Sequence, residues 1–154
     1  MIEQSEIRGL MIPITNGRVL LPNASVAEVI TLSNPEKITN APEWLMGRIN
    51  WRGWRLPLFS FSLLSGMALD EGSRGTRVTV LKALSGHVRM PYIAMLAQGF
   101  PRLTTVSQEA LVPSNESVPT RPGVLMNVML RDDLAVIPDL GQIEQLISEC
   151  LAAA

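Results

Sequence analysis

Leu45-Met-Gly-Arg-Ile-Asn-Trp-Arg-Gly-Trp-Arg-Leu-Pro-Leu-Phe59 is the stretch on which the fold turns. It has two apolar arms, Ile49–Trp51 and Leu56–Phe59, joined around Arg52-Gly53. Gly53 can take the positive φ of a tight hairpin, so the sequence predicts a β-turn with Arg52 at its tip or shoulder. Along the first arm Arg48, Asn50 and Arg52 alternate with Ile49 and Trp51. That period of two sends polar groups to one face of a strand and bulk to the other. All three tryptophans (Trp44, Trp51, Trp54) and the arginines Arg48, Arg52 and Arg55 fall in or beside this run. A rigid hairpin that holds out an arginine-bearing face suggests recognition more than reaction.

Toward the N-terminus, Gly9–Thr15 and Arg18–Pro22 flank Asn16-Gly17, a strong hairpin signal. Pro13 lacks a backbone donor, which puts its nitrogen side on a sheet edge. Ser25 and Glu28 have capping-box spacing and predict a short helical turn. Pro42–Gly47 predicts another, closed by glycine. Toward the C-terminus, Ser62–Gly75 holds three glycines and three serines and is the best linker in the chain. Arg77–Leu84 and Leu103–Val106 are strands, and Val112–Pro122 is a polar loop. Gly123–Leu130 and Leu134–Ile137 flank Arg131-Asp132-Asp133 as a second hairpin. Asp139 can cap a helix whose Leu140, Ile143, Leu146, Ile147, Cys150 and Leu151 share one face. The sum is about ten short strands and one helix, a mostly β chain. Gly17–Pro22 echoes Gly86–Pro91, and an arginine hairpin follows each, a pattern that two related small barrels would produce.

Composition narrows the function. At 154 residues the chain is one domain, or two small subdomains sharing a core, and a chain of this size buries about 70% of its unfolded surface. Net charge is −1 and the pI is near 5.8, so no whole-protein field draws it to nucleic acid or an anionic membrane. One cysteine cannot form an internal disulfide, the start Met1-Ile-Glu-Gln-Ser-Glu6 has no signal-peptide pattern, and no apolar run reaches roughly 18 residues. The expectation is a soluble cytoplasmic protein.

Catalysis has little support. His87 is the single histidine, without a second ligand or a nearby carboxylate. Cys150 sits on the apolar helix face, where a buried inert thiol is the better reading. Asp70-Glu71 and Asp132-Asp133 are loop neighbours, not carboxylates converging across a cleft. No phosphate-cradling glycine motif occurs. We therefore expect no enzyme, no cofactor and no metal. Arg52 is open to two readings: a guanidinium lying over Trp51 or Trp54, or a partner-binding arginine of the kind that anchors protein interfaces. Glu28 can simply close its capping box, and the tryptophans are barrel core or rim before they are a ligand cage. Arginines among aromatics also allow a second functional reading, a small barrel that binds single-stranded nucleic acid. The acidic pI speaks against it.

Gly47-Arg-Ile-Asn-Trp-Arg-Gly-Trp-Arg-Leu-Pro57 resembles the G-x-x-N-x-R-G-x-x-x-P hairpin of the CheW-like adaptors of bacterial chemosensory systems. Val26-Ala-Glu-Val-Ile30 resembles the family's Val-x-Glu-Ile segment, and the likeness runs in order through residues 8–150 as a single domain. The resemblance implies two five-stranded SH3-like barrels packed together, with the linker near 62–75 and a C-terminal helix. It implies a non-enzymatic adaptor that couples methyl-accepting chemoreceptors to a CheA-type histidine kinase. Arg52 matches the family's coupling arginine and Glu28 its partner-surface glutamate. Around them Arg48, Asn50, Gly53 and Trp54 complete the expected partner-binding set. Ser60 stands where the family usually has aspartate, and Ala97-Gln98-Gly99 replaces its Val-Asp pair. These departures resemble a divergent adaptor, such as those of type IV pilus chemosensory systems.

Overall fold

The computed structural model describes residues 6–69, 71, 77–84, 90–113 and 121–153. Among the described residues the chain forms two antiparallel-rich sheets and two α-helices. Strands β1 (Glu6–Ile14), β2 (Gly17–Pro22), β8 (Arg102–Ser107), β9 (Leu111–Pro113), β10 (Val124–Leu130) and β11 (Asp133–Pro138) form the first sheet, in the order β8-β1-β2-β11-β10-β9. Strands β3 (Val26–Thr31), β4 (Leu45–Trp51), β5 (Trp54–Phe59), β6 (Arg77–Lys82) and β7 (Tyr92–Ala97) form the second, in the order β3-β6-β7-β5-β4. Helix α1 is a single turn, Phe61–Leu64, and α2 runs from Leu140 to Ala153.

Each sheet curls. In the first, the edge strands β8 and β9 are consecutive in the chain and joined by a turn in which Ala110 N donates to Ser107 O at 3.2 Å. In the second, the chain leaving β3 folds back onto the far edge. Glu36 and Arg48 exchange both backbone hydrogen bonds, at 2.9 and 2.8 Å, and so connect the two edges. The result is two β subdomains, as expected, with β9 as a sixth strand in the first. Each has its own apolar centre, Met11, Leu20, Val128 and Leu130 in one, and Ile49, Leu56, Leu58, Val78 and Val80 in the other. A larger cluster lies between them. It takes Ile12 and Val19 from the first sheet, Phe59, Leu81 and Met95 from the second, and Ile143 and Ile147 from α2.

Several local expectations are corrected. The 62–75 stretch does not divide the subdomains, because β5 and β6 on either side of it belong to the same sheet. Its first residues form α1, capped by Ser60, whose Oγ accepts from Leu63 N at 3.1 Å. The chain crosses between sheets at 23–25 and again at 98–101. Ser25 ends a 3-10 turn (Asn23–Ser25) and no side chain caps it, so there is no capping box. Gly47 does not close a helix: it lies within β4 at a bulge, where extended backbone wins over the single turn at Pro42. The first hairpin turns at Thr15-Asn16, one residue earlier than Asn16-Gly17, with Asn16 at φ 65° and Ile14 paired to Gly17. The start of the polar loop, Leu111–Pro113, pairs with β10 as β9. Glu71 is not merely solvated: it accepts from Thr15 Oγ1 at 2.5 Å, from Gln98 Nε2 at 3.1 Å and from Ser60 Oγ. The Gly86–Pro91 echo and His87 fall outside the described residues, apart from Met90 and Pro91.

Candidate partner-binding site

The β4–β5 hairpin follows its sequence closely. Pairing runs to Trp51↔Trp54 and leaves Arg52-Gly53 as a two-residue loop. Their φ angles are 48° and 81°, the left-handed pair of a type I′ turn, whose twist matches that of the strands it joins. Glycine adopts this conformation freely, whereas an arginine there must be held by contacts. Ile49 and Leu56 face the second core, while Asn50 and Arg55 stand opposite each other on the outer face.

Glu28 supplies the holding contact. A bulge in β3 between Val26 and Glu28 turns this side chain, as bulges do, out of the regular alternation. Closure of the sheet brings it beneath the hairpin. Glu28 Oε1 accepts from Arg52 Nε at 3.0 Å, from Arg52 Nη2 at 2.9 Å and from Trp51 Nε1 at 3.1 Å. The guanidinium lies over the Trp51 ring, 5.4 Å from its centre, and Trp51 meets Tyr92 edge-on at 4.9 Å. Both readings of Arg52 find something here: it stacks on Trp51, yet 70% of its side chain stays exposed. An exposed ion pair adds little to stability, so what this one does is fix orientation.

The Arg52 hydrogen bonds, then that of Trp51, hold the Glu28 carboxyl below the usual glutamate range, against the opposing effect of partial burial. The contact is therefore complete above the ordinary glutamate pKa and is lost as pH falls through the depressed one. In a carboxyl chemical-shift titration, Arg52→Ala should raise the Glu28 midpoint and Trp51→Phe should raise it by less. Identical midpoints in all three proteins would mean that these bonds do not form in solution.

The other candidate residues divide. Gly53 shapes the turn, and Trp54, 39% exposed, stands 6.4 Å from Tyr92 beside Arg52. Arg48 and Asn50 belong to the outer face of the hairpin, apart from Glu28. On that face Arg55 pairs with Glu36. Sequence reasoning missed Tyr92, Glu36 and the donor role of Trp51, because each depends on the sheet closing and none has a local signal. With Arg52 and Arg55 matched to glutamates and Trp51 occupied by Tyr92 and Arg52, the hairpin makes a poor platform for phosphates and bases. Burial, and then Glu149, pushes the Cys150 thiol up, away from nucleophilic character. Among the described residues no group of three or more His, Cys, Asp or Glu is placed to hold a metal ion, and no helix is long and apolar enough to cross a membrane.

Comparison with known proteins bears on the whole chain. The CheW-like domain matches residues 8–147. The crystal structure of the scaffolding protein TtCheW from Thermoanaerobacter tengcongensis is similar in fold, with a TM-score of 0.71 at 18% sequence identity, over 90% of this chain and 87% of that one. No curated protein matches the sequence.

Proposed function

Because this chain belongs to the CheW-like domain family, we propose that it is a non-enzymatic chemosensory adaptor that links methyl-accepting receptors to a CheA-type histidine kinase in the cytoplasm. The Arg52 hairpin is its partner-binding element, with Glu28, Gly53 and Trp54 around it and Arg48 and Asn50 on the outer face. The observation that carries this reading is the three-donor clasp of Glu28 on Arg52 and Trp51. It presents an exposed guanidinium in one orientation at small cost to the fold, and arginine and tryptophan are the residue types that anchor interfaces.

The departures at Ser60 and Gln98 support a divergent member of the family, of the type IV pilus kind. Both side chains bond to Glu71. The identity of the kinase that copurifies decides which pathway the protein serves.

Arg52→Glu tests the site. A glutamate there would face Glu28 and, at the interface, an acceptor of its own sign. Such a mismatch typically weakens association roughly thirtyfold or more. The variant should keep its melting temperature and fail to join the receptor–kinase assembly. Arg8→Glu, exposed on β1 of the other sheet, is the charge control and should bind normally. Equal binding by both variants would remove Arg52 from the site, and a wild-type protein that captures neither kinase nor receptor would end the adaptor reading.

A further inference from the structure

We propose that the cleft between β2 and the β10–β11 hairpin is a second docking site, one that takes an acidic and partly apolar peptide segment of a partner protein. The cleft has a volume of about 230 Å³. It opens beside the single Val19–Val136 pairing that joins β2 to β11 in parallel. Val128 and Val136 give it an apolar floor, and Leu134 stands at its mouth, 46% exposed. Asn16 Nδ2 donates to Met67 O at 3.0 Å and brings Met67 over as the end wall. A Cβ at position 17 would overlap Met67 Cε, so glycine makes room for that wall.

Charge identifies the occupant. Arg18 and Arg121 both line the cleft, and Asn127 adds an amide. Arg18 lies 4.0 Å from Asp133, but that carboxylate is nearer Arg102, at 3.2 Å. Among the described residues Arg121 has no carboxylate partner. Its carbonyl accepts from Val124 N at 3.2 Å, so the side chain springs from a defined turn at the entry to β10. Arg18, which also donates to Leu134 O at 3.4 Å and shares Asp133 with Arg102, and Arg121 together leave a positive rim, and low-dielectric walls focus that field on an incoming anion. Guanidinium forks match carboxylate geometry.

Size and floor exclude the simpler ligands. The volume falls below the roughly 300–1,000 Å³ of pockets that enclose a small molecule, and suits one or two side chains of a peptide. A bare phosphate would satisfy the rim and leave Val128 and Val136 uncovered. A glutamate beside a leucine or valine covers both. The cleft belongs to the first sheet and the Arg52 hairpin to the second, so occupancy of one leaves the other free.

The test uses the full chain and a fluorescein-labelled peptide, Gly-Leu-Glu-Val-Glu-Leu-Gly, with anisotropy read at low ionic strength. Its counterpart carries glutamine in place of both glutamates. The acidic peptide should bind saturably and the glutamine peptide roughly tenfold or more weakly. Arg121→Gln should lower affinity for the acidic peptide about as much, at an unchanged melting temperature, and leave the glutamine peptide where it was. Asn127→Asp, which adds a carboxylate to the rim, should weaken the acidic peptide as well and serves if Arg121→Gln folds poorly. Arg8→Glu, exposed on β1 and outside both sites, should bind the peptide normally, which separates the cleft from a general effect of charge. Equal affinity for the two peptides, full binding by both cleft variants, or displacement by equimolar inorganic phosphate would overturn the proposal.

Discussion

Ending the chain at Pro138 is expected to abolish cooperative unfolding. Helix α2 buries Leu140, Ile143 and Ile147 in the cluster between the two sheets. Three such side chains contribute about 4.5–9 kcal/mol, at roughly 1.5–3 each, which rivals the 5–15 kcal/mol that holds a typical domain together. Removal also strips the Glu144 carboxylate from Leu84 N, a 2.7 Å bond, and the Gln142 Oε1 acceptor from Gly123 N, also at 2.7 Å. The truncated protein should show strand signal in far-ultraviolet circular dichroism without a sharp thermal transition. A cooperative melt at the wild-type temperature would show that the sheets hold each other without the helix.

Gly47→Ala should strongly destabilise the second sheet. Gly47 has φ 145°, a conformation that favours glycine. An added Cβ would stand 2.5 Å from Glu36 O and 3.0 Å from both Glu36 C and Pro35 Cβ. The carbonyl belongs to the backbone and cannot rotate aside. Relief requires Glu36 to retreat, which breaks the paired Glu36–Arg48 bonds that join the edges of the sheet. Strain of about 1–3 kcal/mol and two lost bonds of about 0.5–1.5 each give a loss on the order of 2–6 kcal/mol in a urea titration. Gly53→Ala is the comparison. Its φ of 81° is also unfavourable to alanine, but nothing lies within 4 Å of the added carbon, so only the conformational cost of about 1–2 kcal/mol should appear. If the two variants unfold at the same urea concentration, steric closure at Gly47 is not what holds the sheet.

The contrast between these glycines shows where a sequence can be read and where it cannot. Gly53 was legible because its demand is local: two apolar arms with alternation, and a turn between them. Helix α2 was legible for a similar reason, through a repeating apolar face behind an aspartate cap. Glu144 is four residues past Leu140 and so shares its buried stripe, although its charge argued otherwise. Gly47 was read as the end of a helical turn because nothing beside it in the chain announces the approach of Glu36. Glu28 and Arg52 are 24 residues apart, and the family motif marked both without revealing that they touch. Thr15, Ser60, Glu71 and Gln98 likewise meet only where the strands of two sheets converge. Pattern encodes the elements, while closure and packing decide which distant side chains become partners.

The order of strands along the chain has a consequence for how the protein is made. The second sheet comes from one unbroken run, residues 26–97, whereas the first is assembled from residues 6–22 and 102–138. As the polypeptide leaves the ribosome, the later-numbered sheet can close while β1 and β2 remain a solitary hairpin, which is marginal in water. The apolar face carrying Met11 and Leu20, which packs on Val128, Leu130 and Ala135, must wait for β10 and β11 before anything covers it. Pairings between such distant segments form slowly, and the interval is one of exposed hydrophobic surface. Synthesis rate across the second half of the message thereby sets how long the nascent chain is vulnerable to aggregation.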